Sequence, residues 1–302
     1  MKKVEKLPKV SIVFSNFNGG KEPIDCLNSI EKLNYPKNKI EVTVIDNGSQ
    51  DGSSQIIAKK FPDIHLIKLE KDIGLPASLN LGIINSSGKY IFIGNDDTVL
   101  EKNSIKLMVN YLEVNKNVAV LGGKVYYKYK PKKLSLSVCG FNYYLGSIRK
   151  PKDILDPNQV QWFQSCAIMI PSSVFKKIGL FDSGFYPLYF DDFDFCLRAT
   201  KAGFKITYLP QVIFWHGQGK TTQKFPSKKV YYWWYKNKIR FYFKHASLLQ
   251  MLTAFTLQFF ATASKSISTR QNIFPSLFKA YFVNLISLPA IISQKKENGQ
   301  SK

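Results

Sequence analysis

Short apolar runs alternate with segments of helical periodicity along the first 95 residues, and this alternation limits the possible folds more than any other feature of the sequence. Residues 24–33 place apolar side chains at helical spacing soon after the apolar run 10–14, so a strand leads into a helix there. Regular repetition of this pattern predicts an α/β fold with a mainly parallel central sheet and helices on both faces. The predicted strands are 10–14, 42–45, 64–69 and 90–93, and the predicted helices are 24–33, 56–61 and 75–84.

The second half of the chain is less regular. The stretch 124–156, rich in Tyr, Lys and Gly, indicates either a hairpin or a loop. Gly179 and Gly203 stand where helices are expected to end. Predicted helices cover 102–115, 172–178 and 193–202, an apolar run returns at 166–170, and a strand is predicted at 206–209.

The net charge is strongly positive and unevenly distributed. The sequence has 43 Lys and Arg against 21 Asp and Glu, a formal net charge of +22. From Gly217 to Lys302 there are 14 basic residues and one acid, Glu297, so this part alone holds +13. Such a balance suits nucleic acid, an anionic lipid surface or a phosphorylated substrate as partner.

The cysteines and the N-terminus exclude several other classes. No Cys-x-x-Cys pair occurs, so neither a zinc ribbon nor a thioredoxin-like site is supported. Charges and Pro8 interrupt the first residues, where a signal peptide would need an apolar run, and we therefore expect a cytoplasmic protein. The four cysteines lie far apart, at Cys26, Cys139, Cys166 and Cys196.

Two polar clusters follow predicted strands, at the sheet edge where α/β proteins bind ligands. Residues 46–53, Asp-Asn-Gly-Ser-Gln-Asp-Gly-Ser, follow the second strand, and residues 95–98, Asn-Asp-Asp-Thr, follow the fourth. Asp97 could hold Mg²⁺ or Mn²⁺ against a diphosphate, because these ions prefer oxygen ligands and take few protein carboxylates. Both segments also suit turns or helix N-caps, a structural role that needs no ligand.

A second acidic group, Asp191, Asp192 and Asp194, lies within aromatic sequence. Burial would raise the pKa of a carboxyl there, which suits a general base. The same acids would also complement the dipole at the start of a helix. His216 follows the apolar run 212–215, and a lone His is more often structural than a ligand. The acidic groups and His216 each lie at the end of an apolar segment, however, so they could converge at one rim of the sheet.

Taken in chain order, these motifs resemble glycosyltransferase family 2, with the GT-A fold, and in particular its rhamnosyltransferase-like branch. The resemblance runs from about Lys9 to His216. Residues 44–53 are similar to the family's nucleotide-binding segment, which implies that Asp46 contacts the base. Residues 72–74 through 80–82 are similar to the second family element, with Asp72 where Asn is more usual.

The remaining motifs imply the roles of the acids and of the histidine. Residues 94–98 stand where the family has its Asp-x-Asp-like motif, so Asp97 inherits the metal-ligand role, with Asp96 where Pro is common. Residues 179–182 and 191–198 resemble the acceptor-side signature; Asp191 takes its Glu position, and Asp192 matches the catalytic base. His216 matches the late His motif, whose imidazole joins the metal or the diphosphate. The implied donor-binding residues are Ser15, Asn18, Asp46, Asn47, Gly74, Asn80, Asn95 and Asp96.

The resemblance implies an inverting, metal-dependent enzyme that uses Mg²⁺ or Mn²⁺. It would move a sugar from a UDP- or dTDP-linked donor to a hydroxyl of a saccharide or lipid-linked saccharide, in cell-surface polysaccharide or glycolipid biosynthesis. Asp192 would take the proton of the attacking hydroxyl. Two rivals are a nucleic-acid-binding protein that uses the basic, aromatic tail, although no nucleic-acid motif accompanies it, and a non-catalytic homologue that binds the nucleotide sugar.

We expect a GT-A domain over 1–220 and a basic, mostly helical segment over 221–302. Residues 231–235, Tyr-Tyr-Trp-Trp-Tyr, precede a basic run, a combination that suits the anionic inner surface of the cell membrane. Residues 246–264 carry no charge, but their Gln, Ser and Thr residues make a membrane-spanning helix marginal. A helix docked on the enzyme or an oligomer contact is the alternative. The basic run consists of Lys236, Lys238, Arg240 and Lys244.

Overall fold

The computed structural model describes residues 7–135, 138–149, 160–217 and 220–293. Its strands are β1 Val10–Asn16, β2 Ile40–Asp46, β3 His65–Lys68, β4 Tyr90–Asn95, β5 Thr98–Leu100, β6 Val118–Tyr127, β7 Lys130–Leu134, β8 Val138–Asn142, β9 Ser147–Arg149, β10 Trp162–Phe163, β11 Ala167–Pro171 and β12 Lys205–His216. Its helices are α1 Glu22–Glu31, α2 Ser53–Lys60, α3 Leu75–Ile84, α4 Ser104–Val114, α5 Ser172–Ile178, α6 Asp191–Lys201, α7 Lys220–Gln223, α8 Ser227–His245, α9 Leu248–Thr269 and α10 Phe274–Ile286.

A nine-stranded sheet runs through the described part of the chain, in the order β3-β2-β1-β4-β11-β6-β12-β5, with β7 paired to β6. The first four of these strands are parallel, as predicted. Beyond β4 the sheet is mixed, because β11 lies antiparallel between β4 and β6, while β12 is parallel to β6. β10, β8 and β9 form a separate antiparallel sheet. The predicted α/β architecture is confirmed.

Side chains alternate between the two faces of the sheet and build a core on each. In β1, Ile12 and Phe14 pack on one face, in the core that α1, α2 and α4 cover. Val13, between them, packs on the other face, in the core that α3, α5 and α6 cover. The period of two along a strand is what allows one apolar run to serve two cores.

Two strands differ from the sequence prediction. β6, which the sequence did not predict, occupies residues 118–127 and pairs antiparallel with β7, so the hairpin that was one of the two alternatives from residue 124 is present there. The predicted strand 206–209 and the apolar run 212–215 form one strand, β12, whose register shifts between Leu209 and Ile213. This irregularity explains why the sequence separates the two halves: a bulge interrupts the alternation that a continuous strand would show.

The C-terminal helices pack on the body of the protein through α8. The ring of Phe241 on α8 stacks on that of Phe193 on α6, with centroids 4.5 Å apart, and both belong to the core that α3, α5 and α6 cover. Ile239 of α8 and Leu277 of α10 share a smaller core. In the described ranges no helix is both long enough and apolar enough to cross a bilayer.

Candidate active site

Polar side chains form a hydrogen-bonded cluster where β1 and β2 end side by side. Asn16 stands opposite Asp46 in the parallel register, and its Nδ2 lies 2.9 Å from Asp46 Oδ1. The same nitrogen lies 3.0 Å from Ser49 Oγ and 2.9 Å from Ser53 Oγ. Asn16 therefore orients Asp46 and the loop that follows it. Sequence reasoning missed Asn16, although its place at the carboxyl end of the first strand was a usable signal.

Asn47 and Asp72 fix the loop that leads into α3. Asn47 Nδ2 donates to Asp72 Oδ1 over 2.7 Å, and Asn47 Oδ1 accepts from the backbone N–H of Ile73 over 2.9 Å. Asp72 Oδ1 also accepts from the N–H of Gly74 over 2.8 Å. Gly74 has φ +84°, in the left-handed region that favours glycine, so its side-chain-free backbone is required for this turn.

Three residues that were predicted to bind the donor instead make hydrogen bonds within the protein. Asn18 Oδ1 accepts from the N–H of Gln50 over 2.8 Å and so closes the loop after β2. Asn80 pairs with the backbone of Phe181 through both amide atoms, at 2.8 and 3.0 Å. Asp46 is only 4% exposed, and its carboxylate accepts the hydrogen bond from Asn16 Nδ2.

The acids after β4 occupy a tight turn into β5, beside the end of β12. His216 pairs with Thr98 in the β12–β5 register, and its Nε2 lies 3.0 Å from both Asp97 Oδ1 and Asn95 Nδ2. Asp97 and His216 are both buried, and His216 Nδ1 has no hydrogen-bond partner. The segment is thus a turn, as the simpler interpretation predicted, and it also brings the predicted metal ligands together.

The two adjacent carboxyls of this turn repel one another in a buried place. Burial, followed by the charge of Asp97, raises the pKa of Asp96 to about 8, while Lys224 acts in the opposite direction. Two neighbouring acids of this kind, Asp97 buried and Asp96 half-buried, favour a bound cation, because the cation offsets their mutual repulsion and their loss of hydration.

These side chains fit a small divalent cation. Asp97 Oδ1 and His216 Nε2 lie 3.0 Å apart, and a carboxylate oxygen and an imidazole nitrogen are both atoms that bind divalent cations. Among the described residues no group of three or more His, Cys, Asp or Glu side chains forms a complete metal site. Mg²⁺ and Mn²⁺ commonly use few protein ligands and complete their shell with phosphate oxygens and water.

The second acidic group lies on the first turn of α6. Tyr189 and Phe190 precede it with φ values of +80° and +69°, an uncommon conformation for residues other than glycine. Asp192 Oδ1 accepts from the N–H of Phe193 over 2.8 Å, and its Oδ2 accepts from that of Ser165 over 3.2 Å. Asp191 is buried, and its Oδ2 has no hydrogen-bond partner. The backbone thus orients Asp192 and leaves Asp191 less well stabilised.

Their environments separate the pKa values of the two acids. Burial raises the pKa of Asp192 to about 6, and the two backbone N–H groups limit the rise. Burial, together with the charge of Asp192, raises the pKa of Asp191 well above its usual range. Asp192 is therefore ionised at neutral pH, and of the two acids Asp191 is the one whose uncharged form is favoured more strongly. A pair with separated pKa values is typical of acid–base sites.

Asp194, the third acid of this group, belongs to a buried ionic network with α8. Arg198 Nε lies 2.8 Å from Asp194, Lys244 Nζ 2.5 Å and His245 Nε2 2.7 Å. Burial alone would raise the pKa of Asp194, but Arg198, His245 and Lys244 together hold it well below its usual range. Asp194 is thus a structural residue that ties α6 to α8.

The basic run on α8 faces inward, which corrects its interpretation as a surface for lipid. Arg240 and Lys244 both bind Asp182, at 2.9 and 2.8 Å. Lys238 Nζ donates to Gln258 over 2.6 Å, and Lys236 Nζ to the carbonyl of Tyr186 over 2.5 Å. These cations are used within the protein, so none of them is free to bind an anionic surface. Sequence alone could not reveal this, because the acids and carbonyls that they bind lie at least 20 positions away along the chain.

Aromatic residues after His216 close one side of the site. Phe225 stacks on Phe17, with ring centroids 6.4 Å apart, and meets Trp233 edge-on at 4.9 Å. Trp233 is buried, as is Tyr235, so the expectation of an exposed interfacial cluster at 231–235 is wrong for these two residues. The reason is that α8 docks on the body of the protein and turns part of this cluster inward.

One cavity of about 410 Å³ brings most of these groups together. Eight of the predicted site residues line it, whereas Asn18, Asp46, Gly74 and Asn80 do not. Trp233 and Trp234 contribute to its wall, a role that sequence reasoning missed because it assigned them to a membrane surface. The predicted residues that line it are Ser15, Asn47, Asn95, Asp96, Asp97, Asp191, Asp192 and His216.

Comparison with known sequences identifies the family. The model for glycosyl transferase family 2 matches residues 11–179, more than half of the chain. Glycosyltransferase AglE of Haloferax volcanii is 25% identical over 70% of this chain and 67% of its own length. An uncharacterized glycosyltransferase of Rickettsia prowazekii is 32% identical over 64% of this chain and 59% of its own. The poly-beta-1,6-N-acetyl-D-glucosamine synthase of Staphylococcus epidermidis is 22% identical over 70% and 50%. The chain thus spans between half and two thirds of the length of these relatives.

Solved structures share the fold. A mannosyltransferase from Pyrobaculum calidifontis, in complex with GDP-Man and Mn²⁺, matches 97% of this chain and 81% of its own at 13% identity, with a TM-score of 0.57. TarS 1-349 of S. aureus, in complex with UDP-GlcNAc, matches 96% and 89% at 16% identity, with a TM-score of 0.60.

The architecture is therefore that of the GT-A nucleotide-sugar transferases, a mixed central sheet with helices and a helical C-terminal part. The chain belongs to glycosyltransferase family 2. The match to the family model includes Asp46 and Asp97 but ends before Asp192 and His216.

Proposed function

We propose that this chain is an inverting glycosyltransferase that transfers a sugar from a UDP- or dTDP-linked donor to an acceptor hydroxyl. The observation that carries the proposal is the buried acid pair Asp191 and Asp192, which lines the same cavity as the acidic turn at Asp96 and Asp97. Transfer to a hydroxyl needs a base on one side of the anomeric carbon and a group that accepts charge on the leaving diphosphate. The two acidic groups meet these two needs from two parts of the fold.

Asp192 is the proposed general base. Its pKa of about 6 leaves it ionised at neutral pH and still basic enough to take the proton of a hydroxyl as the bond to the sugar forms. The N–H groups of Phe193 and Ser165 hold the carboxylate in place. Burial and the charge of Asp192 raise the pKa of Asp191 and favour its uncharged form, which limits repulsion beside the general base. A single displacement with no enzyme nucleophile inverts the anomeric centre.

The donor would bind at the carboxyl ends of β1 and β2. Ser15 and Asn47 line the cavity there. The buried Asp46, next to Asn47 in the chain, is the proposed contact of the nucleotide base. Asn18, Gly74 and Asn80 would act indirectly, by shaping the loops that surround the nucleotide. The complex of TarS with UDP-GlcNAc supports a nucleotide-sugar donor.

Asp97 and His216 would hold the divalent cation, Mg²⁺ or Mn²⁺, with Asn95 and Asp96 beside it. When bound, this ion neutralises charge on the diphosphate. The mannosyltransferase that shares the fold, solved in complex with GDP-Man and Mn²⁺, supports a metal of this kind.

The acceptor would be a saccharide or lipid-linked saccharide, bound beside Trp233 and Trp234 in the wall of the cavity. We place the enzyme in the cytoplasm at the inner face of the cell membrane, in cell-surface polysaccharide or glycolipid biosynthesis. The relation to a polysaccharide synthase of S. epidermidis supports this assignment. We also propose the division into a catalytic part over 1–220 and a helical part over 221–302, although α8 of the second part completes the cavity of the first.

Thermal stabilisation by nucleotide tests the proposal. The melting temperature is measured with UDP, dTDP or GDP, each with Mn²⁺ or with EDTA, and with a single-stranded oligonucleotide as a control. One nucleotide with Mn²⁺ should stabilise the protein by about 2.7 kcal/mol at a hundred times its dissociation constant. A panel of donor sugars with product linkage analysis then identifies the sugar and the anomeric outcome. Stabilisation by the oligonucleotide alone would replace the proposal with nucleic-acid binding, and nucleotide binding without transfer to any acceptor would indicate a non-catalytic homologue.

A further inference from the structure

The last two long helices present large apolar side chains to solvent. Of the twenty exposed large hydrophobic residues in the described part of the chain, twelve lie after residue 247. Phe260 is 64% exposed, Leu252 59% and Ile267 79%. A helix of a water-soluble surface normally turns polar residues outward, and a contiguous apolar patch marks an interaction site. The exposed set, here termed the α9–α10 face, is Leu248, Leu249, Leu252, Leu257, Phe259, Phe260 and Ile267 on α9 and Phe278, Phe282, Leu285 and Ile286 on α10.

The inward side of α9 carries small or polar residues, while α10 adds Leu277 to the small core that it shares with α8. On α9 the buried residues are Ala254 and Thr262, and Thr262 Oγ1 donates to Tyr235 OH over 3.1 Å. On α10 the Asn284 amide donates to the carbonyl of Lys236 over 2.9 Å. The contacts with α8 therefore use Leu277 together with small and polar residues, and the large side chains of the α9–α10 face lie on the outside.

The charge around the face identifies its partner. Between Gly217 and Lys296 the sequence contains no Asp or Glu, while the exposed residues Lys265, Arg270 and Lys279 lie on or between α9 and α10. An anionic lipid surface attracts each such cation by about 1 kcal/mol and accepts apolar side chains below its headgroups. A second copy of this chain would bring the same positive charge to the contact, so charge favours the bilayer over self-association.

We infer that the α9–α10 face docks on an anionic lipid bilayer. This inference deepens the proposed membrane association, and it moves the contact from the aromatic cluster and basic run of α8, which are largely occupied within the protein, to α9 and α10. Side chains such as Phe260 and Leu252 insert at the headgroup boundary, while Lys265 and Arg270 contact lipid phosphates. Gln258, held by Lys238 of α8, keeps α9 attached to the protein while its outer side meets lipid.

Vesicle co-sedimentation of the full-length protein tests the inference. The vesicles are phosphatidylcholine alone or equimolar phosphatidylcholine and phosphatidylglycerol, at low and high salt. The test variant is Leu252→Ser with Phe260→Ser. The matched control is Ile84→Ser with Val114→Ser, which removes two exposed apolar side chains from α3 and α4. Far-UV circular dichroism and stabilisation by nucleotide with Mn²⁺ are measured on every variant.

The wild type and the control should bind anionic vesicles, and the test variant should bind them at least about a hundredfold more weakly, since each of its two lost side chains contributes one or more factors of ten. Neutral lipid or high salt should weaken binding by the wild type. Equal binding by the wild type and a folded test variant would overturn the inference. A wild type that does not bind vesicles would also overturn it. This holds whether light scattering shows the wild type to be a monomer, or a dimer that the two substitutions convert to a monomer. The nucleotide measurement reports separately on the proposed function, because it needs no lipid.

Discussion

Lys244→Met should destabilise the protein severely, because it leaves two buried carboxylates without their shared cation. Lys244 Nζ lies 2.8 Å from Asp182 and 2.5 Å from Asp194, and the side chains are 3%, 11% and 0% exposed. Removing one partner of a buried ion pair costs about 3–5 kcal/mol. Arg240 remains beside Asp182 and Arg198 beside Asp194, so we expect the lower end of this range, about 3 kcal/mol.

Urea unfolding and thermal melting measure this loss. A cost of about 3 kcal/mol corresponds to a fall in melting temperature of about 5 °C for a chain of 302 residues. Lys265→Met, the same change at an exposed position of α9, should alter stability by no more than about 0.5 kcal/mol. Asp182→Asn in the Lys244→Met background should cost less than it does in the wild type, because the pair is already broken. A loss below about 0.5 kcal/mol for Lys244→Met would refute the buried network as a link between α6 and α8.

Two further predictions concern the reaction. Asp97→Asn should abolish Mn²⁺-dependent nucleotide stabilisation with an unchanged circular dichroism spectrum; full activity at saturating donor would shift the metal assignment to Asp96. The second prediction is that kcat/KM rises with pH through about 6, because Asp192 acts only when ionised and burial raises its pKa to that value. A profile that is flat between pH 5 and 7, with donor binding constant, would contradict this role.

The parallel half of the sheet was predictable because its signal is local. Each strand from β1 to β4 contains at least two apolar residues close together in sequence, and the sequence predicts α3 with the bounds that the structure has, Leu75–Ile84. The polar residues at the strand ends also lie where parallel topology requires, so Ser15, Asn47 and Asp97 meet in one cavity. The sequence pattern and the fold agree wherever neighbours in sequence are neighbours in the sheet.

The C-terminal part was less predictable because its partners are remote in sequence. Lys244 resembles any other lysine of a basic tail until the fold places it against Asp182, 62 positions away. Trp233 belongs to an aromatic cluster that suits a membrane surface equally well, and only the docking of α8 shows that it lines the cavity. Charge and hydropathy describe a segment's composition, but its contacts depend on what it packs against.

The most direct test of the proposed chemistry compares Asp192→Asn with Asp191→Asn. Each variant is examined for nucleotide stabilisation with Mn²⁺ and for single-turnover transfer, with the donor and acceptor identified by the panel. Asp192→Asn should bind the donor like the wild type yet transfer at least about a hundredfold more slowly, the effect expected for loss of a general base. Asp191→Asn should retain most of the transfer rate, because burial and the charge of Asp192 raise the pKa of Asp191 and so favour its uncharged form. Normal turnover by Asp192→Asn, with the loss confined to Asp191→Asn, would contradict the assignment of the catalytic base.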